Sequence, residues 1–132
     1  MSTDIEAVTE ANAAFYQAFS NGDLKAMRSL WSASDNIAVI HPGWPPLIGR
    51  EQTMNSWSRL LENGSPGYIS CVDSNVNIVG SMAVVICTEV LAETELVATN
   101  IYARDSGSWQ LIHHQAGPLP QSDSVRDSDT VH

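Results

Sequence analysis

Four histidines stand in this 132-residue sequence, and three of them sit against apolar runs. His41 closes "IAVI" (37–40), and His113 and His114 lie within "SWQLIHHQAG". A neutral imidazole is a competent proton acceptor near pH 7, since its unperturbed pKa is about 6.5. Two other polar side chains interrupt apolar segments: Glu89 in "VVICTEVLA" and Asn100 in "VATNIYAR". A carboxylate among apolar neighbours needs a partner or a raised pKa. If the 92–97 connection is a tight hairpin, Glu89 and Asn100 face each other in a cavity wall; otherwise Glu89 lies on the solvent face of a sheet or in an interface. The chemistry on offer is general acid–base catalysis without a cofactor. A His₂–Glu set also suits zinc or iron. Adjacent strand residues point to opposite faces, however, so His113 and His114 cannot share an ion, and no HxH or HxxxH spacing occurs. No metal is expected.

The surroundings of these residues decide between a site and plain packing. After His41 comes "PGWPPLIGRE", a Pro/Gly/Trp loop that rigidifies the chain before a helix begins. His41 and Trp44 there are either part of a turn or the rim of a ligand cavity. Trp44, Met54 and Trp57 offer apolar, polarisable pocket surface; for Trp57 the competing reading is core packing at helical spacing. Trp31 and Trp109 are assigned to core or interface. Arg50 lies near the opening or pairs with an acid. In strict alternation His113 shares a face with Leu111 and Gln115, and His114 with Ile112 and Ala116, so one histidine faces inward and the other outward.

The elements that must hold these groups follow from periodicity. Residues 3–20 have helical period, with Ile5, Val8, Phe15 and Phe19 in one stripe widened by Ala11 and Ala18. Thr3 and Glu6 form a capping box. Gly22 suits the left-handed residue that ends this helix, and Asp23 the next N-cap. A second helix over 24–32 carries Leu24, Met27, Leu30 and Trp31. A short strand follows at 37–40, then a third helix over about 49–62 with Met54, Trp57 and Leu61 stacked. From there the period is two: "YISCVDSNVNIVG", "MAVVICTEVLA", "LVATNIYARD" and "SWQLIHHQAG" read as a four-strand meander. The fold class is α+β, with helices on one face of an antiparallel sheet.

Length suits one domain with a real core. Fifteen acidic against six basic residues give a net charge of −9, and the basic residues are scattered, so nucleic acid and anionic membrane are not expected partners. Cys71 and Cys87 stand in apolar contexts without a CxxC and read as reduced core thiols. No run approaches the roughly 18 apolar residues of a membrane span and no leader pattern opens the chain, so a cytoplasmic location is expected. Residues 119–132, "LPQSDSVRDSDTVH", are polar and aperiodic and read as a disordered tail.

The element order, with "NGDLKAMRSLW", "NVNIVGSMAVVICTEV" and "GSWQLIHHQAGP", resembles the nuclear transport factor 2-like (NTF2-like) superfamily over about residues 4–118, and within it the SnoaL-like proteins. The resemblance implies a cone-shaped curved sheet wrapped around three N-terminal helices (the cystatin-like shape), as domain 1–118, with a cavity at its open end. It also implies homodimers through the outer sheet face. "AVIHPGW" is similar to the segment of ketosteroid isomerase in which an Asp precedes a Pro and acts as the base, which puts His41 in the base's place. The isomerase's oxyanion-donating Tyr matches Phe15, which cannot donate, with Tyr16 turned about 100° away. Its second, protonated Asp falls near Asn100. Similarity to the association domain of calcium/calmodulin-dependent protein kinase favours His114 inward. The implied site is His41, Asn100 and His114, lined by Phe15, Trp44, Met54, Trp57, Glu89 and Tyr102, and it takes a small apolar molecule. The alternative is a non-catalytic dimeric ligand-binding or association module.

Overall fold

The first helix shows why the chain folds as its sequence suggests. In the computed structural model, which describes residues 3–64 and 67–119, α1 spans Asp4–Asn21. Thr3 accepts from the Glu6 amide while Glu6 accepts from the Thr3 amide, so the capping box is complete. Gly22 closes the helix at φ 64°, the left-handed conformation that a side chain disfavours. Asp23 then caps α2 (Leu24–Leu30). α1 buries Val8, Phe15, Tyr16 and Ala18 together with the polar Asn12, whereas Ile5 at the first turn is exposed.

After α2 come β1 (Ala38–Ile40), β2 (Leu47–Ile48), α3 (Arg50–Leu61), β3 (Ile69–Val79), β4 (Met82–Leu91), β5 (Thr94–Asp105) and β6 (Ser108–Pro118). They form one six-stranded sheet in the order β2-β1-β6-β5-β4-β3, not closed into a barrel. The last four strands are the expected antiparallel meander. Their two-residue turns are Gly80–Ser81, Ala92–Glu93 and Ser106–Gly107. The sheet is mixed rather than wholly antiparallel, because β1 runs parallel to β6. Ahead of β1 the chain already runs beside β6, with Trp31 in a parallel bridge to Leu111 and the Ser32 N–H bonded to the Leu111 carbonyl. β2 adds a two-residue edge that periodicity could not show.

Helices cover the concave face. The core there joins Phe15, Met27, Trp31, Val39, Trp57, Leu61, Val85 and Leu111, and Met54 is also buried. α3 starts at Gly49 (φ 93°), which offers no side-chain cap; Asp35 Oδ1 takes its place and accepts from the Arg50 amide at 2.9 Å. The Arg50 guanidinium bonds the Ser32 and Arg28 carbonyls at the end of α2, so it serves as a brace and not as an anion site. Among the described residues no helix is long and apolar enough to cross a membrane. Beyond Leu119 the 119–132 segment lies outside the described residues.

Candidate functional site

A buried polar ring occupies the concave side of the sheet. Its strand members are Glu89 on β4, Asn100 and Tyr102 on β5, and His114 on β6; its helix members are Asn12 and Tyr16 on α1, one turn apart. All six are almost fully buried. The Tyr16 hydroxyl donates to Glu89 Oε2 at 2.6 Å and accepts from Asn100 Nδ2 at 3.1 Å. Asn100 Nδ2 also donates to Asn12 Oδ1, which takes a second bond from the Tyr102 hydroxyl. Asn100 Oδ1 can only accept, so the 2.5 Å contact with His114 fixes a proton on Nδ1. The His114 Nε2 lone pair then faces Glu89 Oε2 at 3.8 Å, too far for a hydrogen bond. Tyr16, Glu89, His114 and Asn100 thus make a circuit with one open link.

His41 stands in a second, more aromatic cluster. Ser56 Oγ donates to the Thr53 carbonyl at 2.7 Å, so it presents a lone pair to His41 Nε2 at 3.0 Å. The proton of neutral His41 is therefore on Nε2, and Nδ1 is the basic atom. Its ring stands edge to face with Trp44 at 5.0 Å and Trp57 at 4.9 Å, and lies 6.4 Å from His114. Arg59 stacks over Trp44. Phe15 packs against Tyr16, Trp57 and His114 and separates the two clusters. The Trp57 indole N–H and the Thr53 hydroxyl, one turn apart on α3, are buried without a partner.

Burial sets the protonation states. Desolvation lowers the His41 pKa to about 4. It lowers His114 to about 3, with the nearby His41 and His113 acting in the same direction. Glu89 moves the other way: desolvation raises its pKa, only partly opposed by the bond from Tyr16. Burial and the neighbouring Glu89 also raise Tyr16, which stays a phenol. His114 is thus neutral where it faces Glu89, and burial favours the protonated form of Glu89 in turn. His41 is a weaker base than free imidazole, and Glu89 is the group brought toward neutral pH.

The network reaches the surface at a groove of about 510 Å³ between α1 and β3. Asn12, Tyr16 and Cys71 belong to both. Asn12 Nδ2 donates to Cys71 Sγ at 3.5 Å, and Cys87 Sγ lies 3.4 Å from the Tyr16 hydroxyl. Both cysteines are free thiols, and their mutual interaction raises the Cys71 pKa and lowers that of Cys87. Among the described residues no group of three or more His, Cys, Asp or Glu is arranged to hold a metal ion.

Placement and expectation differ in three ways. Glu89 lies opposite Leu96 and Asn100 opposite Val85, because the β4–β5 turn is only two residues; they do not face each other, and Tyr16 bridges them. Leu111 and His114 are both buried, although strict alternation puts them on opposite faces. A register shift in β6, between the pairs Ile101–His113 and Tyr102–Leu111, leaves Ile112 over and resets the pleat. His113 is left half-buried beside Ile101 and Ile112 on the outer side. Tyr16, set aside because Phe15 matches the isomerase's tyrosine, places its hydroxyl at the centre of the network, while Phe15 contributes only its ring. Asn12 and Tyr16 were missed as a pair. Their signal was Thr9, Asn12, Tyr16 and Ser20, a polar stripe at helical spacing beside the apolar one.

With this geometry established, comparison supplies the family. Residues 8–120 match the SnoaL-like domain. The chain belongs to the SnoaL-like domain family. A provisionally named dehydratase of the NTF2-like family from Streptomyces avermitilis is 33% identical, covers 89% of this chain and 96% of its own, and superposes with a TM-score of 0.78. A provisionally named calcium/calmodulin-dependent protein kinase type II association domain from Thiobacillus denitrificans is 27% identical over 85% and 94%, with a TM-score of 0.74. A provisionally named ketosteroid isomerase from Parabacteroides distasonis shares the fold at 14% identity, covering 91% of each chain, with a TM-score of 0.74. No curated protein matches.

Proposed function

We propose that this protein binds a small molecule in the α1–β3 groove and moves a proton on it, with Glu89 as proton store and Tyr16 as the hydroxyl that presents the proton. The observation that carries this reading is the double membership of Tyr16, which bonds Glu89 inside and lines the groove outside. A phenol is both donor and acceptor. With a ligand bound, the Tyr16 hydroxyl turns its proton from Glu89 to the ligand; as that proton leaves, Glu89 gives its own to the Tyr16 oxygen, and the charge left on Glu89 faces His114. Asn100, held by Asn12 and His114, fixes the Tyr16 oxygen. His41 is too weak a base for first place, and in this reading it shapes the aromatic wall. No cofactor enters the step.

The test is unbiased as to substrate. The protein is incubated in D₂O with the small-molecule extract of its own cells, and mass spectrometry seeks a metabolite that gains deuterium at carbon. Exchange with the wild type and none with Glu89→Gln supports proton transfer. A metabolite that binds both proteins without exchange returns the non-catalytic binding module. The apolar outer sheet face, with Val72, Val79, Met82, Ile86 and Val97 exposed, supports a homodimer in which a second copy covers it.

A further inference from the structure

The lining of the α1–β3 groove has an unusual composition for this chain. Fifteen of 132 residues are acidic and six basic, yet none of the thirteen groove residues is charged. Nine carry neutral groups that can both donate and accept a hydrogen bond: Thr9, Gln17, Ser20, Asn21, Ser70 and Ser74, with Tyr68 at the rim and Asn12 and Tyr16 at the floor. Ile69, Val76 and Ala13 contribute apolar surface.

Strand β3 is distorted in a way that keeps charge out. Ile69 and Cys71 line the groove, so strict alternation would bring the Asp73 carboxylate in next. Instead the register shifts between Val72 and Asn75, and Asp73 takes φ 53°, a conformation rare outside glycine. Asp73 is exposed, and Ser74 and Val76 line the groove after it. A strained non-glycine residue is a feature that clusters at functional sites. Tyr68 adds a second oddity. It is 79% exposed at the groove's edge, a large aromatic face left to solvent.

We infer that the groove is a binding site for a neutral, hydroxyl-rich ring, of the saccharide or cyclic polyol class. Gln17, Asn21, Tyr68, Ser70 and Ser74 match ligand hydroxyls in both senses, as donors and as acceptors, while Thr9, Asn12, Tyr16 and Ser20 already bond within the protein. The electron-rich face of Tyr68 takes the C–H face of the ring. A fixed charge in the groove would stay partly desolvated against such a ligand, and the bulge at Asp73 removes the one carboxylate that alternation would place there. The ligand class differs from the small apolar molecule suggested by the aromatic residues near His41, which line a different part of the protein. The inference rests on the small-molecule reading above and adds the ligand's chemistry; it does not require the proton transfer.

The experiment reads occupancy, not turnover. Backbone amides of the full chain are followed by ¹⁵N NMR during titration with sucrose, maltose, lactose and myo-inositol, and with glucuronate, glucosamine and cyclohexanol as counterparts. At least one neutral hydroxylated probe is expected to give saturable shifts at Gln17, Tyr68, Ser70 and Ser74 in the millimolar range. Tyr68→Ala should weaken it about three- to tenfold; the residue is exposed, so the variant keeps the fold. Failure of all four neutral probes to saturate at about a hundred millimolar would overturn the inference, as would tighter binding of cyclohexanol or of a charged counterpart. A saccharide that binds without any deuterium transfer would leave this inference standing and remove only the catalytic reading.

Discussion

Replacing His114 by Asn tests the protonation pattern on which the site depends. Asparagine keeps a donor near the position of Nδ1, so the bond to Asn100 Oδ1 has a replacement, but the titrating group is gone. The sign follows from linkage. In the unfolded chain a histidine takes up its proton near its ordinary value of 6.5, whereas buried His114 resists until about 3. Stability from the neutral imidazole is therefore complete above pH 6.5 and is lost as pH falls toward the folded value. Between about pH 8 and about pH 5 the unfolded state gains one proton that the folded state does not, worth about 2 kcal/mol. That is a large share of the roughly 5–15 kcal/mol that holds a domain together. Glu89 works in the opposite sense: its raised pKa keeps a proton on the folded state, and that contribution is lost as pH rises. Glu89 and His41 are present in both proteins, so they drop out of the difference. Urea unfolding followed by tryptophan fluorescence at the two pH values gives the drop in stability for each protein. The wild-type drop should exceed that of His114→Asn by about 2 kcal/mol, whatever constant cost the smaller side chain brings. Equal drops would refute the argument, and would mean that His114 takes up its proton in the folded protein near its ordinary value; a wild-type drop smaller than the variant's would mean a charged His114 paired with Glu89 across the 3.8 Å contact.

Tyr16→Phe removes the donor to Glu89 and the acceptor for Asn100; urea unfolding should show a loss of about 1–3 kcal/mol. In the same variant the infrared band of protonated Glu89 should persist to higher pH than in the wild type, because the bond that lowers its pKa is gone. Gly49→Ala places a methyl group 3.1 Å from Asp35 Oδ1 at φ 93°, and thermal unfolding should show it destabilised by about 1–3 kcal/mol. Light scattering should return twice the 14.3 kDa chain mass, and a monomer at all concentrations up to about millimolar would remove the second copy from the outer sheet face.

Much of the fold was legible because its signals are local. Thr3 and Glu6, Gly22 and Asp23 announce helix ends through bonds made within a few residues, and all four act as read. The switch from helical period to alternation after residue 68 marks the meander in the same way. The site was less legible because its geometry depends on register. A two-residue turn at Ala92–Glu93 separates Glu89 from Asn100 along the sheet, and an extra residue at Ile112 turns Leu111 and His114 to one side. Neither has a glycine or proline to betray it. The parallel pairing of β1 with β6 is likewise a long-range contact, continuing the Trp31–Leu111 bridge, which the three residues of the strand do not announce.

Tyr16 shows the same limit on the helix. A wheel drawn around Phe15 gives one buried face and leaves Tyr16 about 100° off it. A curved sheet encloses more of a helix than a flat one does, so Phe15 and Tyr16 are both buried, against different walls. Phe15 meets Trp57 and His114; Tyr16 meets Glu89 and Asn100. The helix therefore carries an aromatic wall on one flank and a polar relay on the other, and it divides the His41 cluster from the groove. That division separates two roles that the sequence alone would merge. Desolvation weakens His41 as a base on the aromatic flank, and on the other flank Asn12 and Tyr16 open, beside Cys71, to the groove.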